Sequence, residues 1–261
     1  MRKPLSTVSG DGTVGKALTV LEQVAAIGRP VRMRELLEAS EFPKPTLYRL
    51  LQTLAHQGML SYDAELRTYA LGIRLVHLAH TAWALASLAP IARPHVDALA
   101  SSLHEAVHLA QIDNGQVIFI EKRQVSSQFA TLAQAGQVAP AYCTGVGKAI
   151  LAFLSDEERA LALRQQSFMQ YTDATHKCAE TLSIELETIR SEGVAFDREE
   201  HEAGIISIAA PILTPAHRVV GALSIATATN RYSLEGLNQF RPALLQCASK
   251  IGAEAQSWQA P

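Results

Sequence analysis

The chain has few cysteines, few aromatic residues and no long apolar run, and these absences exclude several classes of protein. Its three cysteines, Cys143, Cys178 and Cys247, are widely separated and form no CxxC pair. This favours a reduced intracellular compartment over a disulfide scaffold. No stretch of about 18 apolar residues occurs, so we expect no membrane span. The polar N-terminus lacks the apolar core of a secretory signal, and we expect a cytoplasmic protein.

An excess of charge of one sign is also missing, since the formal net charge is −2. The charge is nevertheless uneven along the chain. Residues 1–72 carry nine Lys and Arg against seven Asp and Glu, and the remainder carries fourteen against eighteen. The difference is +2 in the first part and −4 in the rest, which permits nucleic-acid binding by the N-terminal part without requiring it.

The N-terminal part has the apolar spacing of three short helices followed by two strands. Residues 1–12 are polar and rich in Gly and Ser, and we predict a flexible arm there. Glycine and proline mark the helix ends, and the predicted elements are helices at 14–28, 33–39 and 43–58 and strands at 59–63 and 67–72. Three helices and a hairpin predict a winged helix-turn-helix domain over residues 13–72.

An apolar helix is predicted to follow at residues 73–88, closed by Pro90. It is too hydrophobic for a solvated linker, so we interpret residues 73–89 as a connecting helix that packs against a partner subunit.

Residues 90–256 combine helices with strands that arrive as hairpins. The predicted helices cover 91–103, 145–154, 178–192 and 234–255, and the predicted strands cover 107–112, 116–121, 207–213 and 219–227. Asp113-Asn114-Gly115 is a strong hairpin turn, and Ser155 with Glu158 has the pattern of a capping box that opens a further helix. This order predicts an α+β fold with a mainly antiparallel sheet flanked by helices.

The third predicted helix has a polar face opposite its leucines. That face consists of Lys44, Thr46, Tyr48, Arg49 and Gln52. Lys, Arg, Thr and Tyr contact phosphates, while Arg reads guanine and Gln reads adenine at base edges. A solvated amphipathic helix has the same pattern in isolation, but the flanking helices and hairpin favour binding of double-stranded DNA.

His104-Glu105-Ala-Val-His108 matches the HExxH pattern of zinc hydrolases. That chemistry needs both histidines on one face of a helix with the glutamate base between them. Here the pattern falls where a predicted helix runs into a predicted strand, so the two imidazoles would not converge. We expect no metal and no cofactor, and a zinc-dependent hydrolase using these three residues stays the alternative function.

Gly145-Val-Gly-Lys148 lacks the earlier glycine and the Ser or Thr of a phosphate-binding loop. It still opens a predicted helix with exposed N–H groups, which suits a small anion such as a carboxylate. Cys143 nearby is a possible nucleophile, although an isolated cysteine in an apolar setting more often packs in a core.

These segments together resemble the IclR family of bacterial transcriptional regulators. The resemblance spans almost the whole chain and is carried, in order, by Lys16-Ala-Leu-Thr-Val-Leu21, Thr46-Leu-Tyr-Arg-Leu-Leu-Gln-Thr-Leu54 with Gly58, Tyr69-Ala-Leu-Gly72, Arg93-Pro-His95, Gly145-Val-Gly-Lys-Ala149, Gly193-Val-Ala-Phe-Asp197 with Glu199-Glu200, Ala209-Ala-Pro211 and Ala222-Leu-Ser224. It implies a winged helix-turn-helix joined to a GAF-like effector-binding domain, and a homodimer or homotetramer that pairs through the N-terminal part.

The resemblance also implies a transcriptional regulator whose operator binding responds to a small organic acid. Position by position, the implied effector-binding residues are Gly145, Val146, Asp197, Ser207 and Ser224, with Ile205 and Ala139 as apolar wall. The family commonly has a cysteine at position 207 and a serine at position 226, where this chain has Ser207 and Ala226. Pro45 stands where a serine or threonine is usual. From the residues alone, a ligand-sensing module whose N-terminal domain docks a protein stays open.

Overall fold

The computed structural model describes residues 12–86, 88–124 and 133–257. The chain divides into two compact units, Met1–Leu85 and Ala86–Pro261. The predicted arm at residues 1–12 lies outside the described residues except for Gly12, where the first helix begins. Among the helices described, none combines the length and the apolarity that crossing a bilayer requires.

The first unit consists of helices around a small sheet. Its elements are α1 (Gly12–Ile27), β1 (Val31–Arg32), α2 (Met33–Ala39), α3 (Lys44–His56), β2 (Leu60–Asp63), β3 (Thr68–Leu71) and α4 (Ile73–Ala86). The strands pair antiparallel in the order β1-β3-β2. The predicted three helices and hairpin are confirmed, whereas β1 was not predicted because two residues show no periodicity.

Four leucines of α3, spaced three and four residues apart, form the centre of this unit. Leu47, Leu50, Leu51 and Leu54 are all buried and pack in one cluster with residues of α1, α2 and the sheet. Burying one such side chain contributes about 1.5–3 kcal/mol. Gly58 then takes a positive φ of 71°, which glycine adopts without strain, and the chain turns from α3 into β2.

The boundary between α4 and the next helix differs from the prediction. The helix α4 ends at Ala86, not at Leu88, and α5 covers Ala89–Leu103. Pro90 therefore lies in the first turn of α5 and does not close α4. Proline is tolerated there because the N–H groups of a first turn have no partner within the helix.

The second unit contains a six-stranded sheet and five α-helices among its described residues. Besides α5, its elements are β4 (Ala106–Asp113), β5 (Gln116–Arg123), β6 (Val138–Pro140), α6 (Gly145–Phe153), α7 (Asp156–Arg164), α8 (Ala179–Glu192), β7 (Ala195–Arg198), β8 (Ile205–Leu213), β9 (Val219–Ala228) and α9 (Arg241–Glu254). The strand order is β6-β5-β4-β9-β8-β7, and every pairing is antiparallel. The predicted α+β class is confirmed, although the short strands β6 and β7 were not predicted.

Two local signals of the sequence are present in the structure as predicted. Asn114 and Gly115 both have positive φ, 47° and 73°, at the turn that joins β4 to β5, as a two-residue hairpin turn requires. At the start of α7, the Glu158 N–H donates to Ser155 Oγ over 3.3 Å, and the Ser155 N–H donates to Glu158 Oε2 over 3.0 Å. This is the predicted capping box.

The predicted single helix over residues 234–255 is wrong. The segment contains a 3-10 helix, Glu235–Phe240, followed by α9 from Arg241. Pro242 is the second residue of α9. A proline ring clashes with the carbonyl four residues earlier and lacks an N–H, so Pro242 favours the start of a new helix over the continuation of an earlier one.

Candidate functional site

The polar face predicted for the third helix is exposed in the structure. Lys44, Tyr48, Arg49 and Gln52 are exposed and Thr46 is half-buried, while the leucines of α3 lie on the opposite side. The structure thus places all five predicted DNA-binding residues on one accessible face. Thr53 and His56 are exposed as well, four and seven residues after Arg49, and helical spacing puts them on this same face.

Gln52 is held by the neighbouring hairpin. Its Nε2 donates a hydrogen bond of 3.1 Å to the hydroxyl of Tyr69 on β3, and the Tyr69 ring lies 4.8 Å from that of Tyr62 on β2. Burial raises the pKa of Tyr69 above its usual value, so the phenol keeps its proton. The hydrogen bond orients the Gln52 side chain and uses one of the two N–H groups on Nε2, so the amide retains a second donor and an acceptor for reading a base.

The start of α3 offers fewer donors than helix starts usually do. Pro43 caps the helix without a side-chain hydrogen bond, and its carbonyl already accepts from the N–H groups of Thr46 and Leu47, over 2.9 and 3.0 Å. Pro45 has no N–H at all. Phosphate contacts on this element consequently depend on side chains such as Lys44 more than on the backbone.

A cavity in the second unit brings the other predicted residues together. All seven predicted effector-binding residues line it, although they come from five elements: Ala139, Gly145, Val146, Asp197, Ile205, Ser207 and Ser224. They lie on β6, the start of α6, β7, β8 and β9. The cavity has a volume of about 50 Å³. A single water needs roughly 10–15 Å³ of such a volume, so the cavity has room for a small ligand.

The start of α6 forms one wall of this cavity. Thr144 caps the helix, because its Oγ1 accepts from the Gly147 N–H over 3.3 Å and donates to the Pro140 carbonyl over 3.0 Å. Gly145 and Val146 supply N–H groups that have no partner within the helix. These groups lie at the positive end of the helix dipole, where an anion is stabilised.

Gly145 is required here by close packing. A Cβ at this position would lie 2.6 Å from Ser207 Oγ and 3.6 Å from Asp197 Cβ. To admit a larger residue, the Ser207 hydroxyl would have to rotate away or β8 would have to move back from the helix start.

Asp197 lies across from Ser207 in the β7–β8 pairing and is 8% exposed. Its Oδ1 accepts a hydrogen bond of 2.9 Å from the Glu200 N–H. Burial, followed by the negative charge of Glu200, raises the pKa of Asp197 to about 7. The carboxyl group therefore exists in both protonation states near neutral pH.

Behind the cavity wall lies a buried network of ion pairs. Lys148 of α6 is fully buried and pairs with Glu200 and, over 2.9 Å, with Glu185 of α8. Arg198 pairs with the same Glu185 oxygen over 2.6 Å, and His176 bonds to the other. Burial raises the pKa of Glu185, but the His176 hydrogen bond and the Lys148 charge outweigh it and lower that pKa overall.

One group of side chains in this network has the spacing of a metal site. His176, Glu185 and Glu200 bring ligand atoms within 4.8 Å of one another. Lys148 and Arg198 already place two cations on these carboxylates. A divalent cation would have to displace them, so we assign no metal to this group.

The HExxH match does not form a zinc site. His104 is the left-handed residue that ends α5, with φ of 58°, whereas His108 lies on β4. Glu105 accepts two hydrogen bonds from Arg231, over 2.7 and 2.6 Å. The hydrolase alternative is contradicted by this geometry, because its two histidines must share one face of a helix.

Two further side chains of the region are neutral. Burial, with a smaller effect of the Lys122 charge, lowers the pKa of His108 to about 3, and His108 Nδ1 lies 3.4 Å from Ser224 Oγ. Burial and the charge of Asp197 raise the pKa of Cys143 far above its usual value. Cys143 thus remains a thiol packed in the core and not an activated nucleophile.

Comparison with known proteins assigns the family. The model of the bacterial transcriptional regulator IclR C-terminal domain matches residues 80–253, and the model of the IclR helix-turn-helix domain matches residues 13–64. The chain belongs to the IclR family of bacterial transcriptional regulators. The predicted membership is confirmed, and the regulator carries the two domains that define this family.

The regulator is similar to relatives over almost its full length. It is 28% identical over 256 residues to the transcriptional repressor IclR of Escherichia coli, covering 96% of this chain and 93% of the relative. Its fold matches the structure of a transcriptional regulator from Rhodococcus, with a TM-score of 0.79, 26% identity and coverage of 95% and 99%. An IclR homologue from Microbacterium hydrocarbonoxydans, solved with 4-hydroxybenzoate, has the same fold, with a TM-score of 0.78, 21% identity and coverage of 94% and 100%.

The sequence did not assign several other side chains that line the cavity to the effector site: His108, Phe119, Gln137, Thr144, His201 and Glu202. Of these, His108 was considered as a zinc ligand. His108 falls in the predicted strand at 107–112, and the register of β4 with β9 places it opposite Ser224. Alternation along β5 could have identified Phe119 as inward-facing. No local pattern marks Gln137, because its position depends on the pairing of β5 with the segment before β6.

Proposed function

We propose that this IclR-family regulator binds double-stranded DNA in the cytoplasm through α3, and that a small organic acid in the cavity changes its operator affinity. The observation that carries the effector part is the convergence of seven residues from five elements on one cavity at the start of α6. The DNA part follows from the family and from the exposed polar face of α3.

The face of α3 has the chemistry of a reading surface. Arg49 lies at its centre, and a guanidinium can donate two parallel hydrogen bonds to guanine O6 and N7. Lys44, Thr46 and Tyr48 supply phosphate donors. The buried leucines of α3 hold the helix against the unit's core. The helix that carries the polar side chains is therefore fixed in position before DNA binds.

The cavity has the chemistry of a carboxylate site with apolar walls. The N–H groups of Gly145 and Val146 and the hydroxyls of Ser207 and Ser224 provide polar partners, while Ile205, Ala139 and Phe119 provide apolar surface. This combination of polar and apolar groups supports a small carboxylic or aromatic acid as the effector. The 4-hydroxybenzoate bound by the Microbacterium homologue is one aromatic acid to test.

Apolar side chains on α4 support self-association. Ile73 is 81% exposed and Val76 is 60% exposed, and an apolar helix face of this kind usually marks an interface. We propose a homodimer, or a homotetramer built from it, that pairs through this helix. Two reading helices then face DNA together, so the operator is pseudo-palindromic with half-sites about one helical turn or a multiple apart.

Effector and DNA are proposed to act on each other through a coupling free energy, typically about 1–3 kcal/mol, or roughly 5–150-fold in affinity. The test is fluorescence anisotropy of the full chain with DNA fragments from around its own gene, with and without a panel of small carboxylic and aromatic acids. Binding should weaken steeply with salt, because phosphate contacts release counterions. Asp197→Ala should remove the response to acids and leave binding of DNA alone intact.

The outcomes separate the two parts of the proposal. Absence of DNA binding at low salt would overturn the assignment of α3 and favour a module that docks a protein. DNA binding that no acid changes would overturn the effector assignment of the cavity.

A further inference from the structure

The surroundings of Asp197 are already balanced in charge without it. The side chains that face it are Cys143 beside α6, Lys148 on α6, Glu185 on α8, Glu200 in the loop after β7, Ser207 on β8, and His108, His201 and Glu202 around the cavity. Among the charged members of the buried network, Lys148 and Arg198 compensate Glu185 and Glu200. Glu202 interacts with the positive charge of Lys122 on β5, so an ionised Asp197 adds one further negative charge.

Nothing among the described cavity residues compensates that charge. No lysine or arginine is among the described side chains that line the cavity. Glu200 Oε2, near Asp197, is buried and accepts no hydrogen bond from any described residue. The Glu200 N–H is a single donor to Asp197 Oδ1. The charge of Lys148 also favours the ionised form but does not outweigh burial and Glu200. The positive end of α6 is a further favourable field, and it is the place proposed for the effector carboxylate.

Asp197 and this helix start are too close to hold two carboxylates in the ionised form. The Asp197 Cβ lies only 3.6 Å from where a Cβ of Gly145 would be. A carboxylate bound to the Gly145 and Val146 N–H groups would meet the Asp197 carboxyl in a site with little water. Two carboxylates sharing such a site retain one proton between them.

We infer that a carboxylate effector binds together with one proton, which Asp197 holds and donates in a hydrogen bond to the effector. The inference rests on the proposed effector site and deepens it. Binding of a carboxylate is then accompanied by protonation of Asp197, whereas binding of a neutral analogue is not. No bond other than hydrogen bonds forms or breaks, and the proton comes from solvent.

The sign of the pH dependence follows from this proton. The pKa of Asp197 in the empty cavity is about 7, and a bound anion raises it further. Carboxylate affinity is then constant below about pH 7 and falls about tenfold per pH unit above it, until the pKa of the complex is reached. The ligand carboxyl stays ionised throughout, since such groups titrate near pH ~4.

Calorimetric titration of the full chain tests the inference, with propionate and benzoate as probes and propionamide and benzamide as matched neutral controls. Titrations at about pH 8, in buffers of different ionisation enthalpy, should show uptake of about one proton per carboxylate bound and none per amide. Asp197→Asn keeps the shape and the acceptor oxygen for the Glu200 N–H, and its amide still donates. In this variant carboxylate affinity should be independent of pH, with no proton uptake.

The possible results distinguish failure of the role of Asp197 from failure of the proposed effector class. Carboxylate binding by the unaltered chain without proton uptake would overturn the role of Asp197 and leave the proposed effector class standing. Proton uptake that persists in Asp197→Asn would also overturn it, by assigning the proton to another group such as Glu202 or His201. If no carboxylate binds at any pH, the proposed effector class fails and the inference fails with it.

Discussion

At the scale of single residues, Arg49 has the clearest expected effect on DNA binding. Its side chain is exposed at the centre of the polar face of α3. Arg49→Ala should weaken binding to a specific DNA fragment by about 1–3 kcal/mol and relax specificity at one base position. Fluorescence anisotropy measures both effects. Arg190→Ala, which removes an exposed arginine from α8, is the matched control, and equal losses in the two variants would remove Arg49 from base reading.

A second prediction at this scale concerns Gly145, which packs closely against Ser207 of β8. A Cβ here would lie 2.6 Å from Ser207 Oγ. Gly145→Ala should therefore destabilise the chain by about 1–3 kcal/mol, as overpacking does, and should weaken carboxylate binding. The double variant Gly145→Ala/Ser207→Ala removes the opposing hydroxyl and should recover part of the stability in urea unfolding. A strictly additive double variant would show that the two positions do not meet.

At the scale of elements, helix starts control how the second unit is built. Thr144 caps α6 at the point where Gly145 and Val146 line the cavity, while the capping box of α7 lies on the surface. In the proposed function, the cap of α6 positions the effector site, whereas the cap of α7 contributes only to the stability of the fold. The two roles are separable because the α7 cap residues do not line the cavity.

Ser155→Ala tests the α7 cap. It should lower the free energy of unfolding by about 0.5–2 kcal/mol, since the Glu158 N–H loses its acceptor. Ser155→Thr should restore most of the loss, because threonine keeps a hydroxyl that accepts from the Glu158 N–H and donates to Glu158 Oε2. Urea unfolding followed by circular dichroism measures the difference. If the threonine variant is as unstable as the alanine variant, capping is not the source of the effect.

At the scale of the whole molecule, the state of assembly is the main expectation. Val76 of α4 is 60% exposed, and Val76→Glu should place a charge in the proposed dimer interface and shift the chain towards monomer. Ile184→Glu on α8, where the isoleucine is 73% exposed, is the control of similar chemistry. Sedimentation velocity distinguishes them. A dimer that tolerates Val76→Glu would exclude this face of α4 from the interface.

Much of the fold follows from local chemistry, and for that reason the sequence predicts it. Leucine spacing identifies α3, the Asn114-Gly115 turn identifies the β4–β5 hairpin, and Ser155 with Glu158 identifies the start of α7. Each signal depends on residues within a few positions of one another. The family resemblance adds the membership of the cavity, since it relates distant segments that no periodicity connects.

Most of the missed features depend on contacts between distant segments, whereas the helix boundaries at Pro90 and Pro242 have a local cause. The short strands β6 and β7 exist through their pairing with β5 and β8, and the hydrogen bond from Gln52 to Tyr69 depends on how the hairpin folds against α3. The pairing of Lys148 with Glu200 joins residues 52 positions apart.

The amino-acid sequence alone was enough to predict the longer helices and strands, the fold class, the polar face of α3 and the IclR-family membership. The protonation of Asp197 and the neutrality of His108 come from the folded chain. Desolvation and buried charge are properties of a packed environment, and their sum is set by neighbours that only the three-dimensional arrangement brings within a few ångströms.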